Sequence, residues 1–118
     1  MPNPVSWNLR LAVREGRLDD ARALMDEMVA STRREDGALG YEWFLTEDGT
    51  SCHLHERYAD SDALLAHLGT FGADFAERFL QCFEPTSLAV YGAPNDAAKG
   101  VLDGFGAAYL GTWGGFVR

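Results

Sequence analysis

The 118 residues suffice for one domain, and a hydrophobic fraction of 47% is typical of a globular protein with one core. The formal net charge of −8 repels phosphate backbones and anionic lipids. No apolar run reaches the roughly 20 residues of a membrane helix, and the N-terminus lacks the pattern of a secretion signal. We therefore expect a cytoplasmic protein that binds neither nucleic acid nor a membrane.

The spacing of apolar residues predicts a strand and then a helix. Residues 5–13 alternate between apolar and polar, which predicts a strand with one apolar face. That face carries Val5, Trp7, Leu9, Leu11 and Val13. From Leu18 to Thr32 the apolar residues recur every three or four positions, which predicts a long amphipathic helix. Gly37 is expected to close this helix in the left-handed conformation.

A β-hairpin is predicted next. Alternating residues from Tyr41 onwards lead to Asp48 and Gly49, a pair that favours a tight type I′ turn. With those two residues as the loop, Leu45 lies opposite Cys52 and Tyr41 lies opposite Glu56. Glu56 therefore points with the apolar side chains of its strand. The other face is expected to be a polar layer against water or another subunit, and it includes Glu42, His53, His55 and Arg57.

Helical segments and a last strand are predicted after the hairpin. Asp60 or Ser61 begins a helix whose inward side carries Leu64, His67 and Leu68. Gly69 is expected to interrupt it, and a second helical segment is marked by Phe71, Phe75, Phe79 and Phe83. Pro85 is expected to stop that segment, before a last strand over residues 86–91.

The order strand, helix, strand, strand, helix, strand is that of the ferredoxin-like split βαβ fold. We therefore predict the α+β class, with an antiparallel four-stranded sheet. Residues 1–91 would form this domain. Residues 92–118 would be an extension with a short helix near Ala97 to Leu102. Its apolar residues need cover, so we expect it to pack on the same domain or on a dimer partner.

Glu56 and His67 are the candidate catalytic residues, because a carboxylate and an imidazole converge there on an apolar layer. Burial of Glu56 would favour its protonated form and suit it to acid or base chemistry near neutrality. Structural roles stay open. Glu56 would then bond to Tyr41 or Tyr58, and His67 would be a core histidine with one hydrogen bond.

Six aromatic residues near this carboxylate are either core or the wall of a site for a flat, unsaturated ligand. They are Trp7, Tyr41, Trp43, Tyr58, Phe75 and Phe79. No metal is expected, because His53 and His55 share a strand face without an evident third ligand. Cys52 and Cys82 are expected to be buried free thiols. Motifs for a serine nucleophile or a phosphate loop are absent from the sequence.

Three stretches resemble the antibiotic biosynthesis monooxygenase domain family, and within it the small quinol-monooxygenase-like proteins. They are Glu15-Gly16, then Gly40-Tyr41-Glu42-Trp43, and above all the stretch from His55 to His67, which reads HERYADSDALLAH. The resemblance covers about residues 5–91. It implies a homodimer with two sheets packed face to face, the dimeric α/β barrel, and a pocket in each subunit between the sheet and its helices.

The resemblance also implies a function. It suggests a monooxygenase without a cofactor that acts on a small aromatic, quinol-type substrate, with His67 taking a phenolic proton and Glu56 tuning or relaying it. The tryptophan that is functional in oxygenating members of the family aligns with His67 of this sequence. The asparagine that is functional in those members aligns near Leu9. Two alternatives remain, a non-catalytic dimeric binder of a small apolar metabolite and a small-molecule isomerase.

Overall fold

Five strands form a single sheet in this computed structural model, which describes residues 3–118. The strands are β1 (Val5–Val13), β2 (Ala38–Leu45), β3 (Ser51–Tyr58), β4 (Phe83–Gly92) and β5 (Ala108–Leu110). Their order across the sheet is β2-β3-β1-β4-β5. The first four strands pair antiparallel, and β5 pairs parallel to β4.

Four α-helices accompany the sheet in the described part of the chain. They are α1 (Leu18–Arg33), α2 (Ser61–Thr70), α3 (Ala76–Cys82) and α4 (Asp96–Leu102). A π-helical turn, Phe71–Phe75, joins α2 to α3, and a 3-10 turn, Asp103–Phe105, follows α4. Within residues 3–118, every helix is too short or too polar to cross a lipid bilayer.

This order of elements confirms the ferredoxin-like α+β fold. The sheet has five strands rather than the expected four, because residues 108–110 of the extension pair with the outer edge of β4. Pairing there supplies hydrogen-bond partners to backbone groups that an edge strand would leave open.

The alternation of β1 places its odd-numbered side chains against the helices. Leu11 packs with Leu24 and Met28 of α1 and with Phe79 of α3. The other half of the core lies under α2 and α4, and it contains Val5, Tyr58, Leu64, Val90 and Leu102. The core therefore fills one side of the sheet.

The hairpin has the expected register, with Leu45 opposite Cys52 and Tyr41 opposite Glu56. The expected type I′ turn is wrong, since only glycines have a positive φ among the described residues. Gly49 has a φ of 73°, and Asp48 Oδ1 accepts hydrogen bonds of 2.7 Å from the hydroxyls of Thr46 and Thr50. The Asp48 side chain closes this turn, so the Asp48 backbone needs no left-handed conformation.

Gly37 does not end α1 in the left-handed conformation, and that expectation was wrong. The helix ends at Arg33, followed by Arg34 in a right-handed conformation. Gly37 instead allows a close approach, because a Cβ at this position would overlap the Cβ of Ala63 in α2. Its carbonyl also accepts a 2.9 Å hydrogen bond from the N–H of Ala59. The turn after α1 is thus held against the start of α2.

Two expected helix boundaries also differ. Gly69 lies inside α2, and the chain continues through the π-helical turn into α3. The strand expected over residues 86–91 begins earlier, at Phe83, so Pro85 lies within β4 and does not stop a helix. The pairing of β1 with β4 shifts register between Arg10 and Leu11, next to Pro85. Such an irregularity is where a strand tolerates a residue without an N–H.

Candidate active site

Glu56 is a buried carboxylate with fixed hydrogen-bond partners. The alternation of β3 turns its side chain toward the helices, and the residue is only 5% exposed. Trp7 Nε1 donates to Glu56 Oε2 at 2.6 Å, and the Tyr58 hydroxyl donates to Oε1 at 2.7 Å. These donors replace the water that the carboxylate loses on burial.

His67 lies between two carboxylates. Asp60 caps α2 by accepting a 2.8 Å hydrogen bond from the N–H of Ala63, and this start directs His67 toward the sheet. His67 Nε2 is 3.2 Å from Glu56 Oε1. His67 Nδ1 is 3.1 Å and 3.2 Å from the two carboxylate oxygens of Glu35. Both ring nitrogens of His67 are therefore engaged.

The two carboxylates determine the charge of His67. Burial by itself would lower the pKa of His67, but the hydrogen bond and the charge of Glu56, joined by those of Glu35, outweigh it. The pKa of His67 is raised above its ordinary value as a result. An imidazolium donates from both nitrogens, so it can give one N–H to each carboxylate.

Among the described residues, Glu56 has donors for all but one of its acceptor positions. An ionised carboxylate has about four lone-pair positions for hydrogen bonds, two on each oxygen. Tyr58 and His67 approach Oε1, and Trp7 approaches Oε2. One position on Oε2 is then left for another donor. A protonated His67 has no lone pair to offer.

Three aromatic rings surround His67. The ring centroids lie at 4.9 Å for Tyr58, 5.6 Å for Tyr41 and 6.5 Å for Trp7. Burial, followed by the charge of Glu56, raises the pKa of both tyrosines, so both phenols stay protonated. Thr32 and Trp43 approach the Tyr41 hydroxyl and lower the pKa of Tyr41, but by less than burial and Glu56 raise it. Within residues 3–118 that hydroxyl and the Trp43 N–H form no hydrogen bond of acceptable geometry.

A cavity of about 510 Å³ opens beside Glu56 and His67, between the sheet and the helices. This volume suits a small organic ligand. Four residues with polar side-chain groups line it, namely Trp7, Tyr41, Glu56 and His67. The remaining wall is apolar and consists of Leu9, Met28, Leu54, Leu68, Phe71, Ala76, Phe79, Leu80, Pro85, Leu88, Leu102, Gly104 and Phe105.

The cavity wall includes both candidate catalytic residues, and with them Trp7, Tyr41 and Phe79 of the expected aromatic set. The other three expected ligand contacts lie elsewhere. Tyr58 is fully buried and holds Glu56 through its hydroxyl. The ring of Trp43 packs on Phe83, with centroids 5.8 Å apart. The ring of Phe75, at the end of the π-helical turn, lies 5.8 Å from the guanidinium carbon of Arg78.

The remaining chemically reactive side chains lie away from the cavity wall. His53 and His55 are on the opposite face of the sheet, and Cys52 and Cys82 are buried free thiols. Burial raises the pKa of Cys52 to about 11, so this thiol stays protonated. Within the described chain, no three His, Cys, Asp or Glu side chains are grouped to hold a metal ion.

Sequence reasoning missed Glu35. It lies in a charged run at the end of α1, a pattern that usually indicates a solvated helix end. Its partner His67 is 32 residues further along the chain, and only the packing of α2 against the turn brings them together. The cavity residues Leu102, Gly104 and Phe105 were also missed, because the extension shows no periodic pattern after residue 102.

The fold is a ferredoxin-like sheet with helices on one face, and a buried carboxylate and a buried imidazole lie together beneath those helices. The antibiotic biosynthesis monooxygenase family matches residues 4–85, and the chain belongs to that family. A relative from Mycobacterium tuberculosis, described as "Putative monooxygenase Rv0793", is 37% identical over 70 residues. This match spans 59% of the present chain and 69% of the relative.

Several solved structures have a similar fold over most of this chain. The structure of Rv0793 from Mycobacterium tuberculosis has a TM-score of 0.61 and 32% identity, covering 79% of this chain and 96% of that one. MupZ from Pseudomonas fluorescens has a TM-score of 0.87 at 22% identity, covering 98% and 95%. SnoaB, a cofactor-independent oxygenase from Streptomyces nogalater, has a TM-score of 0.67 at 17% identity, covering 79% and 95%. The likeness to MupZ and SnoaB concerns the fold alone.

Proposed function

We propose that the protein is a monooxygenase that needs no cofactor and acts on a small aromatic, quinol-type substrate in the 510 Å³ cavity. The observation that carries this proposal is Glu56, a buried carboxylate with one free acceptor position at an apolar wall. Family membership and the monooxygenase description of Rv0793 support the type of reaction.

In this proposal the base is Glu56, which accepts the phenolic proton of the substrate on Oε2. The sequence predicted that His67 takes this proton, but in the structure both ring nitrogens of His67 face carboxylates. We therefore assign His67 to holding Glu56 in place. Trp7, Tyr41 and Phe79 contribute aromatic surface against which the substrate ring packs.

Deprotonation makes the substrate electron-rich enough to reduce molecular oxygen, the second substrate. The phenolate gives electrons to oxygen, and a carbon–oxygen bond forms at a ring carbon to give a peroxide. Glu56 returns its proton to the peroxide, the ring carbon that carries the peroxide loses its hydrogen as a proton, and the oxygen–oxygen bond breaks. The departing hydroxide takes up that second proton and leaves as water, and the ring carbon becomes a carbonyl. The sum is one phenol and one O₂ giving one quinone and one water, so atoms and electrons balance.

The direct test is oxygen uptake by the metal-free protein with a panel of quinols, followed by mass analysis of products made under ¹⁸O₂. We expect uptake and one labelled oxygen atom in the product. Turnover in the absence of oxygen would overturn the proposal in favour of an isomerase. A ligand that raises the melting temperature without being consumed would favour the non-catalytic binder.

The first prediction concerns Glu56→Gln, which keeps the shape of the side chain but removes the base. We expect turnover to fall by about 10²–10⁴-fold, the usual contribution of general base catalysis. Steady-state oxygen uptake measures the loss, and circular dichroism checks that the variant is folded. The control is Glu47→Gln, an exposed carboxylate in the hairpin loop, which should keep wild-type activity. Equal activity in the two variants would remove Glu56 from the reaction.

We also propose a homodimer in which two sheets pack through the face without helices. That face carries Ser6, Asn8, Arg10, Glu42, Phe44, His53, His55 and Arg57. Phe44 is 52% exposed there. A second copy packed on this face would cover the Phe44 ring.

A further inference from the structure

Glu35 occupies a position outside the cavity wall but in contact with His67. Its side chain is 21% exposed, against 7% for His67 and 4% for Glu56. Both of its carboxylate oxygens lie within 3.2 Å of His67 Nδ1. Glu35, His67 and Glu56 thus form a line from the surface to the cavity.

The turn that carries Glu35 is fixed by its own contacts. The N–H of Glu35 donates to the carbonyl of Thr32 at 2.9 Å, and the N–H of Ala38 donates to the carbonyl of Glu35 at 3.1 Å. Gly37 then lies so close to Ala63 of α2 that a side chain would not fit between them. Backbone packing therefore fixes the separation between the turn that carries Glu35 and the helix that carries His67.

Four titratable groups face His67 from the elements packed around it. Glu35 comes from the turn after α1, Tyr41 from β2, and Glu56 and Tyr58 from β3, while β1 contributes the neutral indole of Trp7. The two carboxylates are the charged members of this set. Since Glu56 faces the cavity, Glu35 is the one placed to compensate the charge of His67 from behind.

We propose that Glu35 is a positioning residue that holds His67 as an imidazolium, with Nδ1–H donated to Glu35 and Nε2–H donated to Glu56. In this state His67 fixes the Glu56 carboxylate and stabilises its negative charge through the hydrogen bond to Oε1. The proposal rests on the proposed function only for its catalytic consequence. The charge state of His67 is a property of the resting protein and is measured without a substrate.

The same arrangement restricts the substrate. Two carboxylates and one imidazolium leave a net charge of −1 beside the cavity, in surroundings where water is scarce. A second negative charge on the ligand would be repelled strongly there. The arrangement therefore favours a neutral phenol over an aromatic carboxylate.

The experiment is an NMR titration of the histidine ring signals in the wild type, in Glu35→Gln and in a matched control. The control is Glu27→Gln, which removes an exposed carboxylate of α1 that pairs with Arg78, whereas the carboxylate partners of His67 are Glu35 and Glu56. In Glu35→Gln we expect the titration midpoint of His67 to fall by about 1 pH unit or more, since a nearby opposite charge commonly shifts a midpoint by that much. The control should leave it unchanged, and the signals of His53 and His55 serve as internal references.

An unchanged His67 midpoint in Glu35→Gln would overturn the proposal. A wild-type midpoint at or below the ordinary value of 6.5 would overturn it as well, even if the variant does not fold. Glu35→Asp keeps the charge on a shorter side chain, so its midpoint should lie between those of the wild type and Glu35→Gln.

Activity provides a separate readout. If the protein oxidises quinols, the acid limb of its kcat/KM profile should change in Glu35→Gln and recover in part in Glu35→Asp. A protein without oxygenase activity but with the expected histidine midpoints would remove the proposed reaction and leave the role of Glu35 standing. Oxygenase activity together with an unchanged His67 midpoint in Glu35→Gln would support the proposed reaction and remove the role of Glu35.

Discussion

At the scale of single residues, Glu56 depends on donors from three different elements. Trp7 comes from β1, Tyr58 from β3 and His67 from α2. A buried charge that loses one such partner is destabilised by more than the bond itself is worth, because the remaining group stays desolvated. Each donor therefore matters to stability as well as to the orientation of the carboxylate.

The prediction at this scale is a comparison of Trp7→Phe with Trp43→Phe. Trp7 is buried in the core, and Trp43 is partly buried against it. Both changes shorten an aromatic side chain, but of the two only Trp7 donates a hydrogen bond, at 2.6 Å to Glu56. We expect Trp7→Phe to lower the free energy of unfolding by about 1–3 kcal/mol more than Trp43→Phe does. Denaturant unfolding followed by circular dichroism measures the difference. If the two variants lose equal stability, Trp7 serves only as packing.

The sequence was enough to predict that Glu56 and His67 lie on the same side of the sheet, but it did not predict the contact with Glu35. Strand alternation and the hairpin register are local properties, so they are enough to place Glu56 opposite Tyr41. The helical period is local too, and it places His67 on the same side. The contact between His67 and Glu35 depends on how a turn and a helix pack together, and neither element has a sequence signal for that distance.

At the scale of elements, the close approach of Gly37 to Ala63 determines where α2 lies. This contact explains why the chain has glycine here although its φ is not positive. The same approach sets the position of Glu35 two residues earlier. Sequence spacing singled out the correct residue for the wrong reason, since glycine near a helix end more often indicates a left-handed cap.

The prediction for this element compares two glycines. Gly37→Ala places a methyl group where the Cβ of Ala63 already lies, so α2 must move. We expect a loss of about 1–3 kcal/mol, the usual effect of overpacking. Gly69→Ala is the control, because a Cβ there meets nothing within 4 Å and alanine is the better helix former. Thermal unfolding should show a lower melting temperature for the first and an equal or higher one for the second.

Equal melting temperatures for these two variants would mean that the contact between the turn and α2 adapts easily. The histidine signals add a second readout. Displacement of α2 should shift the ring signals of His67 in Gly37→Ala, while Gly69→Ala should leave them nearly unchanged.

At the scale of the whole molecule, the sheet has one covered face and one open face. The helices and the cavity lie on the covered side, and the open side mixes charged, polar and aromatic residues. The end of the extension adds three exposed apolar side chains, Trp113, Phe116 and Val117, each at least 76% exposed. Exposed apolar groups in such number are typical of a surface that another chain covers.

The corresponding prediction is a stable homodimer. Light scattering at micromolar concentration should give twice the chain mass of 12.9 kDa. Asn8→Arg places a charge on the central strand of the open face and should shift the protein toward the monomer, whereas Glu47→Arg in the exposed hairpin loop should not. A monomeric wild type at this concentration would contradict the proposal.

The cavity wall is formed by two parts of the chain, one inside the residues that match the family and one beyond them. Glu56 and His67 lie inside the matched residues 4–85, whereas Leu102, Gly104 and Phe105 lie beyond them. The proposed catalytic groups and part of the cavity wall therefore lie in separate stretches of the chain. The later stretch is also structural, since Ala98 and Leu102 belong to the core and β5 pairs with β4. Under the proposed function, a chimera that exchanges the residues after β4 between homologues should change which ligands fit the cavity while Glu56 and His67 stay in place.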